Sequence, residues 1–165
     1  MAMLPQHILI VRLSAMGDVA MTIPVLKVLT EAYPEVKLTV LTKEQFTPIF
    51  KDLEKATVVN VKVKGEHKGI FGLWRLSRQI KDLQIDAVAD LHNVLRSKIL
   101  KLFLGSTKWV SINKGRTEKN LLVKGRQFKQ LKSTHQRYAD VFEACLLYTS
   151  PSPRDGATSR MPSSA

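Results

Sequence analysis

The sequence predicts an α/β fold: a Rossmann-like parallel sheet with helices on both faces. Short apolar runs of strand length recur along the chain, and longer segments of helical spacing separate them. The first run is apolar at nearly every consecutive position, as a strand covered on both faces requires; a sheet with one wet face would alternate apolar and polar residues.

Residues 7–12, HILIVR, form the first such run. A short loop at 13–17 follows, and Asp18 stands at the N-cap or first turn of a helix that continues through 20–32. Pro24 either kinks that helix or begins its main part. Tyr33-Pro34 ends it, and 36–42, VKLTVLT, is the second strand. Residues 43–53 read as a short helix and 57–64 as a third strand. Residues 70–83 have helical spacing at Ile70, Leu73, Trp74, Ser77 and Ile80, which puts Trp74 in the core. A fourth strand at 86–91, a helix at 97–104 and a fifth strand at 108–112 complete the sheet, with Trp109 also read as packing. After a polar, basic stretch a last helix begins near Thr134, where His135 is a helix-start or packing group. Ligands of such a sheet bind beyond the carboxyl ends of its strands, so the loops after Arg12, Lys64 and Leu91 carry the function.

The 165 residues suffice for one domain with a hydrophobic core, and an apolar fraction of 44% with 24% charged is ordinary for a soluble protein. No stretch approaches the roughly 18 apolar residues of a membrane span. The opening MAMLPQHILIVRL lacks a basic segment ahead of a long apolar one, so the expected location is cytoplasmic. Cys145, the single cysteine, has no partner for an internal disulfide, and no Cys/His spacing suggests zinc. Against 14 acidic residues stand 26 basic ones, a net charge of +12. That excess implies an anionic partner: nucleic acid, phosphorylated lipid or an acidic membrane surface.

From Cys145 the composition shifts to CLLYTSPSPRDGATSRMPSSA, rich in serine and proline and without apolar periodicity. Back-translation of 145–155 and 159–165 resembles, in order and in frame, the two constant parts of a transposase-based sequencing adapter, with 156–158 as the variable index. The expectation is a native domain at 1–144 and a non-native, disordered tail at 145–165. Only Arg154, Arg160 and Asp155 of the charged residues lie in that tail, so the basic excess belongs to the body.

The loop after the first strand, LSAMGD, has no Gly-x-Gly-x-x-Gly dinucleotide fingerprint, and the chain shows no Walker loop and no Asp-x-Asp pair. A carboxylate on a strand-to-helix turn suits a general base, and Gly17 is expected to let the backbone turn and approach a substrate. The alternative for Asp18 is a plain helix cap. The segment ILIVRLSAMGDVAMTIP, with Ser14, Gly17, Asp18 and Ile23-Pro24, resembles the opening of glycosyltransferase family nine, the lipopolysaccharide heptosyltransferases. DLHNVLRS at 90–97 and HQRYADVF at 135–142 carry the resemblance across nearly the whole body.

The resemblance implies the N-terminal, acceptor-binding domain of a GT-B glycosyltransferase. The implied reaction is inverting transfer of heptose from ADP-heptose to the phosphorylated inner core on lipid A, at the inner face of the cytoplasmic membrane. It implies Asp18 as catalytic base, Ser14, Met16 and Gly17 beside the substrate, and no metal or other cofactor. Lys64, His67 and Lys68, after the third strand, stand where the family holds acceptor anions; the alternative is solvated loop charge. His92 and Asn93 are placed to line the acceptor cleft, or to serve as hydrogen-bonded structural groups. Lys114 and Arg116 open a basic run reaching Lys132, interrupted by one acid, Glu118. Such a run suits acceptor phosphates or anionic headgroups. Phe128 is its one aromatic, which disfavours nucleic acid. The family's donor site lies mostly in a second domain, so the body alone is expected to be inactive. The other reading is a non-catalytic domain that binds anionic glycolipid or nucleic acid.

Overall fold

The computed structural model describes residues 4–147. Five strands, β1 (His7–Val11), β2 (Lys37–Lys43), β3 (Ala56–Val61), β4 (Ala87–Asp90) and β5 (Lys108–Ser111), form one parallel sheet in the order β3-β2-β1-β4-β5. β1 pairs with β2 from His7 opposite Lys37 to Val11 opposite Leu41, and with β4 from Ile8 opposite Ala87 to Val11 opposite Asp90. The helices are α1 (Met16–Ala20), α2 (Thr22–Ala32), α3 (Gly69–Lys81), α4 (Leu95–Leu104), α5 (Arg116–Val123) and α6 (Thr134–Leu147).

Every residue of β1 is buried, as its unbroken apolar run requires. Successive side chains point to opposite faces, so the strand feeds two cores. Ile8 and Ile10 pack with Leu26 and Leu29 of α2 and with Tyr138 and Phe142 of α6. Leu9 and Val11 pack on the other side with Leu73, Leu76 and Ile80 of α3 and Leu100 of α4. Each such side chain stabilises the fold by about 1.5–3 kcal/mol relative to exposure. Pro24 falls in the first turn of α2, where its missing N–H costs no helical hydrogen bond, so it begins the main helix.

Four elements differ from expectation. Residues 44–50 form a 3-10 helix (Glu44–Phe50) with Pro48 inside, which removes a donor an α-helix would need. β3 stops at Val61 because the chain turns there: the Gly65 and His67 amides both donate to the Lys62 carbonyl. α3 buries Gly72, Leu73, Leu76, Ser77 and Ile80, leaving Trp74 half exposed rather than in the core. Gly72 fixes that rotation, since a Cβ there would sit 2.2 Å from the His67 carbonyl carbon. α5 lies within the basic stretch and has no buried residue, so it left no apolar stripe to read.

α6 also runs past the boundary drawn at residue 144. Cys145 continues the buried stripe of Tyr138, Val141 and Phe142 and is fully buried, its thiol donating to the Val88 carbonyl at 3.8 Å. Residues 145–147 are thus helical rather than disordered, with Cys145 and Leu146 on the buried face of the helix. The rest of the expected tail, 148–165, lies outside the described residues. Burial pushes the Cys145 thiol up to about 12, which suppresses the thiolate that reacts. The native protein should therefore release no thionitrobenzoate from Ellman's reagent and one equivalent in guanidinium; rapid native reaction would place Cys145 outside the core.

Candidate active site

The strand order reverses direction between β1 and β4, and the crevice at their carboxyl ends is where such sheets bind ligands. Arg12 leaves β1 there. Its guanidinium is nearly buried and donates from Nη1 to the Leu91 carbonyl at 2.6 Å and from Nη2 to Asp18 Oδ2 at 2.6 Å. Asp18 sits in the first turn of α1, where the N-cap is Ala15 and no side chain caps the helix. Its carboxylate is therefore held by Arg12 rather than spent on capping. Oδ1 has no hydrogen-bond partner among the described residues, and the side chain is 44% exposed. From below, the buried Tyr138 hydroxyl of α6 donates to the Asp18 carbonyl at 3.0 Å. Burial raises the Tyr138 hydroxyl's pKa, so it stays a donor at neutral pH.

Asp90, fully buried at the end of β4, organises the facing loop. Its Oδ1 accepts the His92 and Asn93 amides at 3.0 and 2.8 Å, and its Oδ2 accepts Trp109 Nε1 at 3.3 Å and Ser111 Oγ at 3.4 Å. This Asx-type turn sets Asn93 at φ 45°, a conformation that asparagine tolerates better than most residues. Asn93 Nδ2 donates to the Ile112 carbonyl at 2.9 Å, and Lys114 Nζ to the Asn93 carbonyl at 3.1 Å. Ser97 closes the loop, accepting the Val94 amide at 3.0 Å and donating to the Val94 carbonyl at 2.9 Å.

His92 Nε2 lies 3.5 Å from Ser14 Oγ across the crevice. Burial, and then the positive Arg12 and Lys114, lower its pKa to about 4, so the ring is neutral at physiological pH. Its buried Nδ1 has no partner among the described residues. The ring offers hydrogen bonds here, not charge. In the unfolded chain the ring titrates near 6.5 and takes up its proton first. Stability tied to His92 is therefore complete above about pH 6.5 and falls as pH drops toward 4. The melting temperature should decline over that window less steeply in His92→Gln than in wild type; identical profiles would remove His92 as a cause.

Positive charge collects on the other side of Asn93. A cavity of about 420 Å³ is lined by Asn93, Lys98, Ser111, Lys114 and Arg116 among others. Lys114 is partly buried, and burial followed by the neighbouring Arg116 and Arg12 lowers its pKa.

Ser14, Met16, Gly17, Asp18, His92, Asn93, Lys114 and Arg116 thus gather at one edge, at the ends of β1, β4 and β5. Gly17 is helical, and a Cβ there would meet nothing within 4 Å, so the turn does not require glycine. Lys64 and Lys68 are exposed after β3, two strands from β1 and so roughly 10 Å away across the sheet. His67 is not available to a ligand. It is buried beneath its own turn, with Nδ1 accepting the Lys62 amide at 3.0 Å and Nε2 3.3 Å from Gln79 Oε1. Arg12, Asp90 and Tyr138 were not singled out from the sequence. A charge closing each of two apolar strands was the available sign for the first two.

The fold is that of one Rossmann-like half of a GT-B glycosyltransferase. The chain is 30% identical over 98 residues to the lipopolysaccharide core heptosyltransferase OpsX of Haemophilus influenzae, covering 59% of this chain and 27% of that protein. Its fold matches a family 9 glycosyl transferase from Veillonella parvula with a TM-score of 0.66 at 24% identity, over 88% of this chain and 43% of that one. The E. coli heptosyltransferase WaaC, solved with ADP-2-deoxy-2-fluoro heptose, matches with a TM-score of 0.59 at 22% identity, over 91% and 51%. The chain therefore spans about half the length of these solved structures and about a quarter of OpsX. No protein-family profile matches it.

Proposed function

We propose that the chain is the acceptor-binding half of an inverting heptosyltransferase that moves heptose from ADP-heptose to the phosphorylated inner core of lipopolysaccharide. One observation carries the reading. A half-exposed carboxylate, Asp18, is fixed through one oxygen by a buried arginine at the switch point of the sheet, with its other oxygen open to the crevice. Likeness to heptosyltransferases supports the same chemistry.

In this reading Asp18 Oδ1 takes the proton of the acceptor hydroxyl as that oxygen attacks the anomeric carbon, and ADP departs from the opposite face. Arg12 orients the carboxylate, which is where preorganisation gains rate. Neutral His92 and Ser14 hydrogen-bond sugar hydroxyls. Lys114 and Arg116 hold acceptor phosphates, the geometry for which cationic side chains are suited. Positive charge is supplied by side chains, and no metal or cofactor enters the scheme. The enzyme would work in the cytoplasm, at the inner face of the membrane that displays its acceptor. The donor half is outside this chain in the reading, so the chain alone does not turn over.

The test is an assay of heptose transfer from ADP-heptose to a heptose-deficient lipopolysaccharide acceptor, using the protein with both halves. Transfer by wild type, slowed at least about a hundredfold in Asp18→Asn with acceptor binding kept, supports the reading. Acceptor binding without transfer in either protein favours a docking domain instead. Salt-sensitive binding to short nucleic-acid duplexes, with no affinity for the acceptor, favours the nucleic-acid reading.

A further inference from the structure

We propose that the outer face of α3 and α4 is a docking surface for an anionic phospholipid bilayer. The two helices lie side by side over the same face of the sheet. Amphipathic helices of a globular domain normally turn polar residues outward. Here Phe71 is 87% exposed, Ile70 62% and Trp74 50%, all in the first turns of α3. Leu95 and Leu102 are 73% and 77% exposed on α4, seven residues apart and so on one side of that helix. Such a cluster of large apolar side chains marks an interaction surface.

Charge identifies the partner. α3 carries Arg75, Arg78 and Lys81, α4 carries Arg96, Lys98 and Lys101, and neither helix has an acidic residue. The Arg78 guanidinium lies over the Trp74 ring, 5.4 Å from its centre, so cation and aromatic share one patch. Aromatic and aliphatic side chains that enter the headgroup boundary, ringed by lysine and arginine, are the make-up of a surface that lies on an anionic membrane. Nucleic acid would use the basic residues but gains little from Ile70, Leu95 and Leu102, which do not stack on bases. Among the described residues no helix is long and apolar enough to cross a membrane, so the contact is peripheral.

The placement agrees with the crevice. The exposed residues of α3 cluster at its start, and Leu95 begins α4 two residues after Asn93, at the edge where the strand ends open. A glycolipid anchored in the bilayer would therefore present its sugar to the site from the side this patch faces. The inference rests on the proposed function only for that setting. Its test uses lipid alone, so either idea fails without the other.

Flotation of the full chain with vesicles of phosphatidylcholine carrying about one third phosphatidylglycerol tests it. Each basic residue near such a surface strengthens binding roughly fivefold, so wild type should float and be released by high salt. Replacing Phe71→Ser with Trp74→Ser should weaken binding at least tenfold with an unchanged circular-dichroism spectrum, because both side chains are solvent-exposed. Brominated lipid should quench wild-type fluorescence, and Trp74→Phe should remove that quenching, a readout independent of affinity. Reversing Lys119 and Lys124 in α5 and the turn after it should leave at least half the binding. The proposal is overturned by no flotation, by flotation indifferent to Phe71 and Trp74, or by loss confined to the Lys119/Lys124 variant. A concentration-dependent dimer dissolved by the Phe71/Trp74 variant, with no vesicle binding, would assign the patch to a second copy instead.

Discussion

Asp18→Asn, in the protein carrying both halves, should lower kcat by about 10²–10⁴-fold and leave the acceptor Kd within about twofold. The size follows from the contribution of a positioned general base to proton transfer. The selectivity follows from shape. An asparagine is isosteric, so its carbonyl oxygen still receives the Arg12 Nη2 hydrogen bond now made to Oδ2 at 2.6 Å. The Tyr138 hydroxyl still donates to the backbone carbonyl of residue 18. α1 and the loop before it stay in place, and only the capacity to accept a proton is lost. Steady-state kinetics with separate acceptor-binding measurements decide the matter. A kcat within fivefold of wild type would remove Asp18 as the base, and a parallel loss of binding would make it a positioning residue.

Asp90→Ala should cost about 3–5 kcal/mol of stability, a large share of the 5–15 kcal/mol of an ordinary domain. The carboxylate is fully buried and accepts four hydrogen bonds, two from backbone amides that have no other acceptor in hand. Alanine removes the acceptor and leaves those donors in a dry place, which costs more than the net value of the bonds. Asp90→Asn should cost less, since its carbonyl oxygen replaces one carboxylate oxygen for the two amides. Urea unfolding of the three proteins gives the order directly. A midpoint for Asp90→Ala matching wild type would mean that the loop at His92 and Asn93 is set by Ser97 and Ile112 without it.

Much of this architecture was legible because β1 is unusually pure and strand-length runs alternate with helical spacing. HILIV has no polar residue but its first, and such a run suits an inner strand of a parallel sheet, covered on both faces. The switch-point loop from Ser14 to Asp18 was legible too, through position and through resemblance. Two of the residues missed, Arg12 and Asp90, depend on partners distant in sequence. Arg12 earns its role through Leu91, and Asp90 through Trp109 and Ser111, contacts that no local spacing encodes. His67 reads as a loop cation until its ring is seen folded beneath its own turn against Gln79. Trp74 fits a helical stripe, but the tight contact of Gly72 rotates α3 and turns the indole outward. α5 buries nothing, so hydrophobic periodicity had nothing to report.

The place of β1 in the sheet has a consequence for biosynthesis. Of the five strands it is made first and stands in the middle of the finished sheet, and its second neighbour begins only at Ala87. A nascent chain can zip β2 and β3 onto one side of β1 while the other side waits, its amides and carbonyls open to solvent. For that interval the most apolar ribbon of the molecule is a bare rim, able to recruit the same ribbon from a neighbouring ribosome's product. Arrival of β4 seals it, so synthesis that stalls before residue 90 leaves the cell a sticky intermediate instead of a smaller domain.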